Sequence, residues 1–80
     1  MKTEVIVTLR EGVLDPQGEA IRQALNGMGF DTVETVRQGK FIELELSDTD
    51  AQTAHDKVKD MSEKLLANTV IESYKIEILK

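Results

Sequence analysis

Val5, Val7 and Leu9 alternate with Glu4, Ile6, Thr8 and Arg10, the two-residue period of a strand with one face in a core. Glu11 to Leu14 follow as a loop, and Asp15-Pro16 then opens a helix. Aspartate is a good N-cap, and proline suits the first helical position, where its missing N–H costs nothing. Ala20, Ile21, Ala24, Leu25 and Met28 recur at helical spacing, and Gly29 is the expected stop. Thr32 to Gln38 reads as a second strand, bulged because its apolar residues, Val33 and Val36, stand three apart. Gln38-Gly39-Lys40 reads as a tight turn, with Gly39 able to take a positive φ. Ile42, Leu44 and Leu46 alternate with Phe41, Glu43 and Glu45 as a third strand. Ser47-Asp48-Thr49-Asp50 then starts a helix whose apolar stripe is Ala51, Ala54, Val58, Met61 and Leu65, broadened by Leu66. Asn68 is its expected C-terminal cap. Tyr74, Ile76 and Ile78 mark a last strand.

The order β-α-β-β-α-β predicts an α+β, ferredoxin-like domain spanning residues 1–80, with a four-stranded antiparallel sheet and two helices on one face. The other sheet face would then be open, carrying Ile6, Phe41 and Ile71 among polar residues. Several apolar side chains on one flat face point to a partner sheet, so these three are the expected oligomer interface, in a homodimer or homotetramer. Small size argues the same way, since a chain of 80 residues has little core to stabilise it alone.

Fifteen acids against ten bases give a net charge of −5. A nucleic-acid binder draws its affinity from neutralising phosphates, and three aromatics (Phe30, Phe41 and Tyr74) are too few for a base-stacking platform. No nucleic-acid partner is expected. The absence of cysteine excludes a disulfide framework, a zinc finger and thiol catalysis. No apolar stretch approaches the ~20 residues of a membrane span, so no membrane association and a cytoplasmic location are expected.

Catalytic chemistry is equally scarce. His55, the one histidine, has no second histidine, cysteine or activated serine to converge with, and reads as a structural side chain. Asp48, Asp50, Asp56 and Asp60 lack the alternation and glycine of a calcium loop, and the early ones fit helix-dipole complementarity. The glycines spell no phosphate loop, and Gly27-Met28-Gly29 closes a helix rather than opening one, the wrong end for an anion. No metal or catalytic residue is assigned. The loop Gly12 to Gly18 stands apart, since a capped helix does not explain Val13 and Leu14 before it. Either they staple the helix start or the loop is a recognition surface on a rigid scaffold.

Three segments in order, Gly12-Val13-Leu14-Asp15-Pro16-Gln17-Gly18, Val36-Arg37-Gln38-Gly39-Lys40, and Lys64-Leu65-Leu66-Ala67-Asn68 with Val70-Ile71-Glu72, resemble the PurS family over essentially the whole chain. PurS is the small subunit of phosphoribosylformylglycinamidine (FGAM) synthase in purine biosynthesis. Thr69 and Ser62 depart from it, where members often carry proline and cysteine.

The resemblance implies a non-catalytic accessory subunit. It would bridge a glutaminase subunit, which releases ammonia from glutamine, and a large synthetase subunit, which uses ATP and Mg to make the amidine from formylglycinamide ribonucleotide. No cofactor is expected on this chain itself. Leu14, Asp15, Pro16, Gln17, Gly18, Gly39, Lys40 and Asn68 are the candidate partner contacts. The competing expectation is a dimeric ferredoxin-like regulatory module that binds a small effector.

Overall fold

The structure is a computed structural model and describes residues 1–79. It contains β1 (Lys2–Leu9), α1 (Pro16–Gly27), β2 (Gly39–Glu45), α2 (Ala51–Met61) and β3 (Glu72–Leu79), with a single π-helical turn, Ser62–Leu66, closing α2. The sheet is three-stranded and antiparallel in the order β2-β1-β3. β1 is central, pairing Val5 with Ile42 on one side and with Ile76 on the other. Its inward positions, Thr3, Val5 and Val7, are wholly buried, as the alternation requires. The core is small: Val5, Val7, Val58 and Ala67, flanked by Ile42, Leu44, Leu46, Leu66, Tyr74 and Ile76.

The caps follow the local sequence. The Asp15 carboxylate accepts the Gly18 N–H at 2.9 Å, with Pro16 at the first helical position. Asp50 accepts both the N–H and the hydroxyl of Thr53, at 3.0 and 2.7 Å. α1 ends in a Schellman arrangement: the Phe30 N–H reaches the Leu25 carbonyl and the Gly29 N–H that of Asn26, with Gly29 at φ +101°.

Three expectations are corrected. First, Thr32 to Gln38 is no strand in the protomer; beyond a turn at Asp31 and Thr32 the chain pairs with nothing in the sheet. A strand needs a neighbouring edge, and this segment lies against α1 instead. Second, Gly39 is no turn residue. It opens β2 opposite Thr8 without positive φ, and its lack of a side chain lets the Val7 carbonyl approach where a Cβ would collide.

Third, the α2 stripe shifts by one residue at its end. The π turn, closed by Ala67 N–H to the Ser62 carbonyl at 3.0 Å, adds a residue per turn. Ser62 and Ala67 are therefore buried while Leu65 is 83% exposed. The buried Ser62 hydroxyl donates to the Val58 carbonyl at 2.8 Å.

Only α2 packs on the sheet, over β3. α1 and residues 30–38 project from the body as an arm, so the two helices do not share a sheet face. The protomer measures 48 × 26 × 14 Å, and its radius of gyration of 15.9 Å exceeds the roughly 12 Å of a compact chain this long.

Candidate functional site: the loop end of the sheet

β1 ends where β2 and β3 begin, so three connections meet at one end of the sheet: residues 10–18, 38–40 and 66–72. The segments singled out in the sequence around Asp15, Lys40 and Asn68 are thus brought together, although 28 residues separate Lys40 from Asn68 in the chain.

Arg10, which the strand pattern did not mark, ties two of these loops. Its guanidinium donates twice to the Thr69 carbonyl, at 3.1 and 2.9 Å, and its backbone N–H reaches the Ile71 carbonyl at 2.8 Å. Lys40 places its ammonium 3.4 Å from the Leu66 carbonyl, at the C-terminal end of the helical segment, and 3.9 Å from Glu72. A cation there complements the helix dipole and an unpaired carbonyl. Asn68 does not cap the helix with a left-handed residue. It builds the turn: its side-chain oxygen accepts the Val70 N–H at 3.2 Å, its carbonyl accepts from Ile71 and Glu72, and its own N–H goes to Glu72.

On the arm side, one Asp15 oxygen holds the Gly18 N–H and the other the Gln38 N–H, each at 2.9 Å. These two bonds, that to Gln38 foremost, hold the Asp15 carboxyl below its ordinary value of 3.8. Gly18 is buried with the Val36 carbonyl so close that a Cβ would collide. Asp15 and Gly18 therefore fix how α1 lies on residues 36–38. Between the loop and this segment runs an open cleft of about 500 Å³, lined by Arg10, Val13, Leu14, Asp15, Thr35 and Arg37 among others. Pro16 and Gln17 are exposed on the first turn of α1.

Leu14 is 80% exposed, so it does not staple the helix start, and Leu65 and Val70 are similarly bare at 83% and 82%. These exposed apolar side chains stand at, or next to, a loop end that is itself held by hydrogen bonds. Ile6 and Phe41 lie elsewhere, as a directly opposed cross-strand pair on the open sheet face. Ile71 precedes β3 in the turn, 39% exposed, its carbonyl accepting the Arg10 N–H. His55, half-exposed on α2, has Asp56 3.9 Å away as its one charged neighbour among the described residues. No group of three metal-ligating side chains occurs among those residues, and no helix is long and apolar enough to cross a membrane.

Comparison with known proteins places this geometry. Residues 2–80 match the PurS family model, described as phosphoribosylformylglycinamidine (FGAM) synthase. The PurS subunit of FGAM synthase from Bacillus subtilis is 52% identical over 79 residues, covering 96% of this chain and 90% of the relative. The crystal structure of Methanocaldococcus jannaschii PurS superposes with a TM-score of 0.89 at 39% identity, covering 99% of this chain and 95% of that one. A chain in the Thermotoga maritima PurLQS structure gives a TM-score of 0.89 at 36% identity over 98% of this chain and 95% of its own. Overlap this complete includes the projecting arm as well as the sheet, and the chain belongs to the PurS family of FGAM synthase subunits.

Proposed function

We propose that this chain is the accessory subunit of an FGAM synthase, bridging a glutaminase subunit and an ATP-dependent synthetase subunit in purine biosynthesis. The observation that carries the reading is the convergence of three loops at one end of the sheet. They are fixed by Arg10, Lys40, Asp15 and Asn68, and they display Leu14 and Val70 to a partner, with Leu65 on the adjoining π-helical turn. Proteins recognise one another through apolar anchors with a polar rim, and this end of the molecule has both.

The chemistry of the transfer explains why such a subunit is needed. Ammonia freed at one site takes up a proton in water and diffuses away, so delivery to a second site requires an enclosed, oriented path. A subunit can contribute to that path by positioning two enzymes, with ATP and Mg bound by the synthetase partner and none by this chain. Leu14 to Gly18, Gly39-Lys40 and Asn68 form the proposed contact region. A cytoplasmic location accords with this role. On the same reading, the four-stranded ferredoxin-like unit belongs to an associated form of the chain rather than to the lone protomer.

The test is ATP turnover by purified synthetase and glutaminase subunits, with and without this chain, using either glutamine or excess ammonium as nitrogen donor. Dependence on the chain with glutamine, largely relieved by ammonium, is the expected result. Turnover that ignores the chain with both donors would refute the proposal.

A further inference from the structure

Two of the three glycines in and after α1 are required by the fold, Gly18 by the close Val36 carbonyl and Gly29 by its φ of +101°. Gly27 is not. Its φ is not positive, it is exposed, and a Cβ there would meet nothing within 4 Å among the described residues. Glycine inside a helix is less stable than alanine, and here no contact accounts for it. Its chemical consequence lies in the residue before it, Asn26. With no side chain at 27, the backbone nitrogen that follows Asn26 is unshielded.

Asn26 fastens the far end of the arm. Its Nδ2 donates to the Phe30 carbonyl at 2.9 Å and to the Val33 carbonyl at 3.3 Å. Its Oδ1 accepts from Arg22 Nη1 at 2.9 Å. The side chain thus ties the last turn of α1 to residues 30–33. Aspartate cannot replace it, because the two carbonyls need donors and an ionised carboxylate has none.

We propose that Asn26-Gly27 is a deamidation site that the folded arm restrains, and that reaction there unfastens the arm. In the first step the Gly27 backbone nitrogen attacks Asn26 Cγ. The N–Cγ bond forms, the Cγ–Nδ2 bond breaks, and Nδ2 leaves as ammonia with the proton from the Gly27 nitrogen. Water then opens the five-membered succinimide ring at either carbonyl. One product is aspartate, and the other is isoaspartate, with the main chain routed through Cγ. In α1 the Gly27 N–H belongs to the helical ladder. Ring closure requires Asn26 to leave its helical torsions and its three hydrogen-bond partners, so reaction proceeds through local opening of the arm. Once formed, the carboxylate offers nothing to the Phe30 and Val33 carbonyls, and its charge in the last turn opposes the helix dipole.

Peptide mass spectrometry of the full chain, aged folded and in urea at mildly alkaline pH, tests the site. Asn68, the second of the two asparagines, precedes Thr69 and serves as internal control. In urea Asn26 is expected to react at least about tenfold faster than Asn68, whose following nitrogen sits beside a β-branched side chain. Folding is expected to slow Asn26 at least about tenfold, a factor set by how seldom the arm opens. Gly27→Ala, for which there is room, should keep the fold and slow the reaction in urea at least about tenfold. The Phe30 and Val33 amides, bonded to the Leu25 and Phe30 carbonyls, should exchange at least about tenfold faster in Asn26→Asp.

Equal folded and urea rates overturn the restraint. Equal rates at Asn26 and Asn68 in urea, or a Gly27→Ala chain that reacts like the wild type, overturn the site. Unchanged amide exchange in Asn26→Asp overturns the unfastening. If that variant fails to fold, exchange read on the deamidated and intact fractions of aged, folded wild-type chain decides the same point. Neither enzyme partner enters these measurements, so they stand apart from the proposed enzymatic role.

Discussion

Replacing Thr3 by valine should stabilise this protein. Thr3 lies on the inner face of the central strand, opposite Leu44 on one side and Ile78 on the other, and is fully buried. Its hydroxyl has no hydrogen-bond partner among the described residues. A hydroxyl buried without compensation costs about 1–3 kcal/mol in protein mutational data. Valine has nearly the same shape, keeps the β-branch that strands favour, and exchanges the hydroxyl for a methyl. It therefore removes the penalty without opening a cavity or overfilling the site. The expected gain is about 1–2 kcal/mol. For a domain this small, a Tm rise of roughly 4–8 °C per kcal/mol follows. Urea and thermal unfolding of both proteins at one fixed protomer concentration measure it, since association shifts apparent stability by mass action. Val5→Thr at the adjacent buried inward position should lose a comparable amount. A Thr3→Val variant no more stable than the wild type would refute the reasoning, showing that the hydroxyl is satisfied in solution.

Three further outcomes are expected. Gly18→Ala should destabilise the chain, although alanine normally improves a helix by about 0.5–1 kcal/mol. The added Cβ meets the Val36 carbonyl and lies 2.6 Å from an Asp15 oxygen, and thermal unfolding gives the sign. Asp15 has a lowered folded-state value, so its contribution is present above its ordinary titration near pH 4 and is lost as pH falls through the lower folded value. Asp15→Asn should therefore flatten the fall of stability with acid in that window, read from urea midpoints across pH. Leu14→Asp should leave the fold intact, because Leu14 is 80% exposed, while weakening capture of the two enzyme partners at least about tenfold. Calorimetric titration checks this, and unchanged affinity removes the loop from the interface.

Much of the local architecture is determined by the sequence alone. Alternation at Val5-Val7, Ile42-Leu44 and Ile76-Ile78 names three strands, because side chains on a strand have period two whatever lies next to it. Asp15-Pro16 and Asp50 locate both helix starts, because a cap is a contact within one turn. The three segments that resemble the PurS family are likewise read from the chain, and the comparisons bear out that membership. The strands and caps depend on residues a few positions apart, and the resemblance on short segments taken in order.

The tertiary structure decided what depends on distant pairing. Val33 and Val36 favour an extended chain, but extension becomes a strand only beside a free edge, and residues 33–38 pair with none of the described strands. Gly39 invites a turn by composition, yet it serves the close approach of the Val7 carbonyl from another strand. The π turn at Ser62 moves Leu65 outward because the packing of Ser62 and Ala67 on the sheet sets the helix phase there. The strand alternation gives Arg10 only an outward position, because its tie between loops depends on the Thr69 carbonyl, 59 positions away. Periodicity and caps are properties of one segment, whereas strand pairing, helix phase and loop convergence are relations between segments, fixed only when the chain folds.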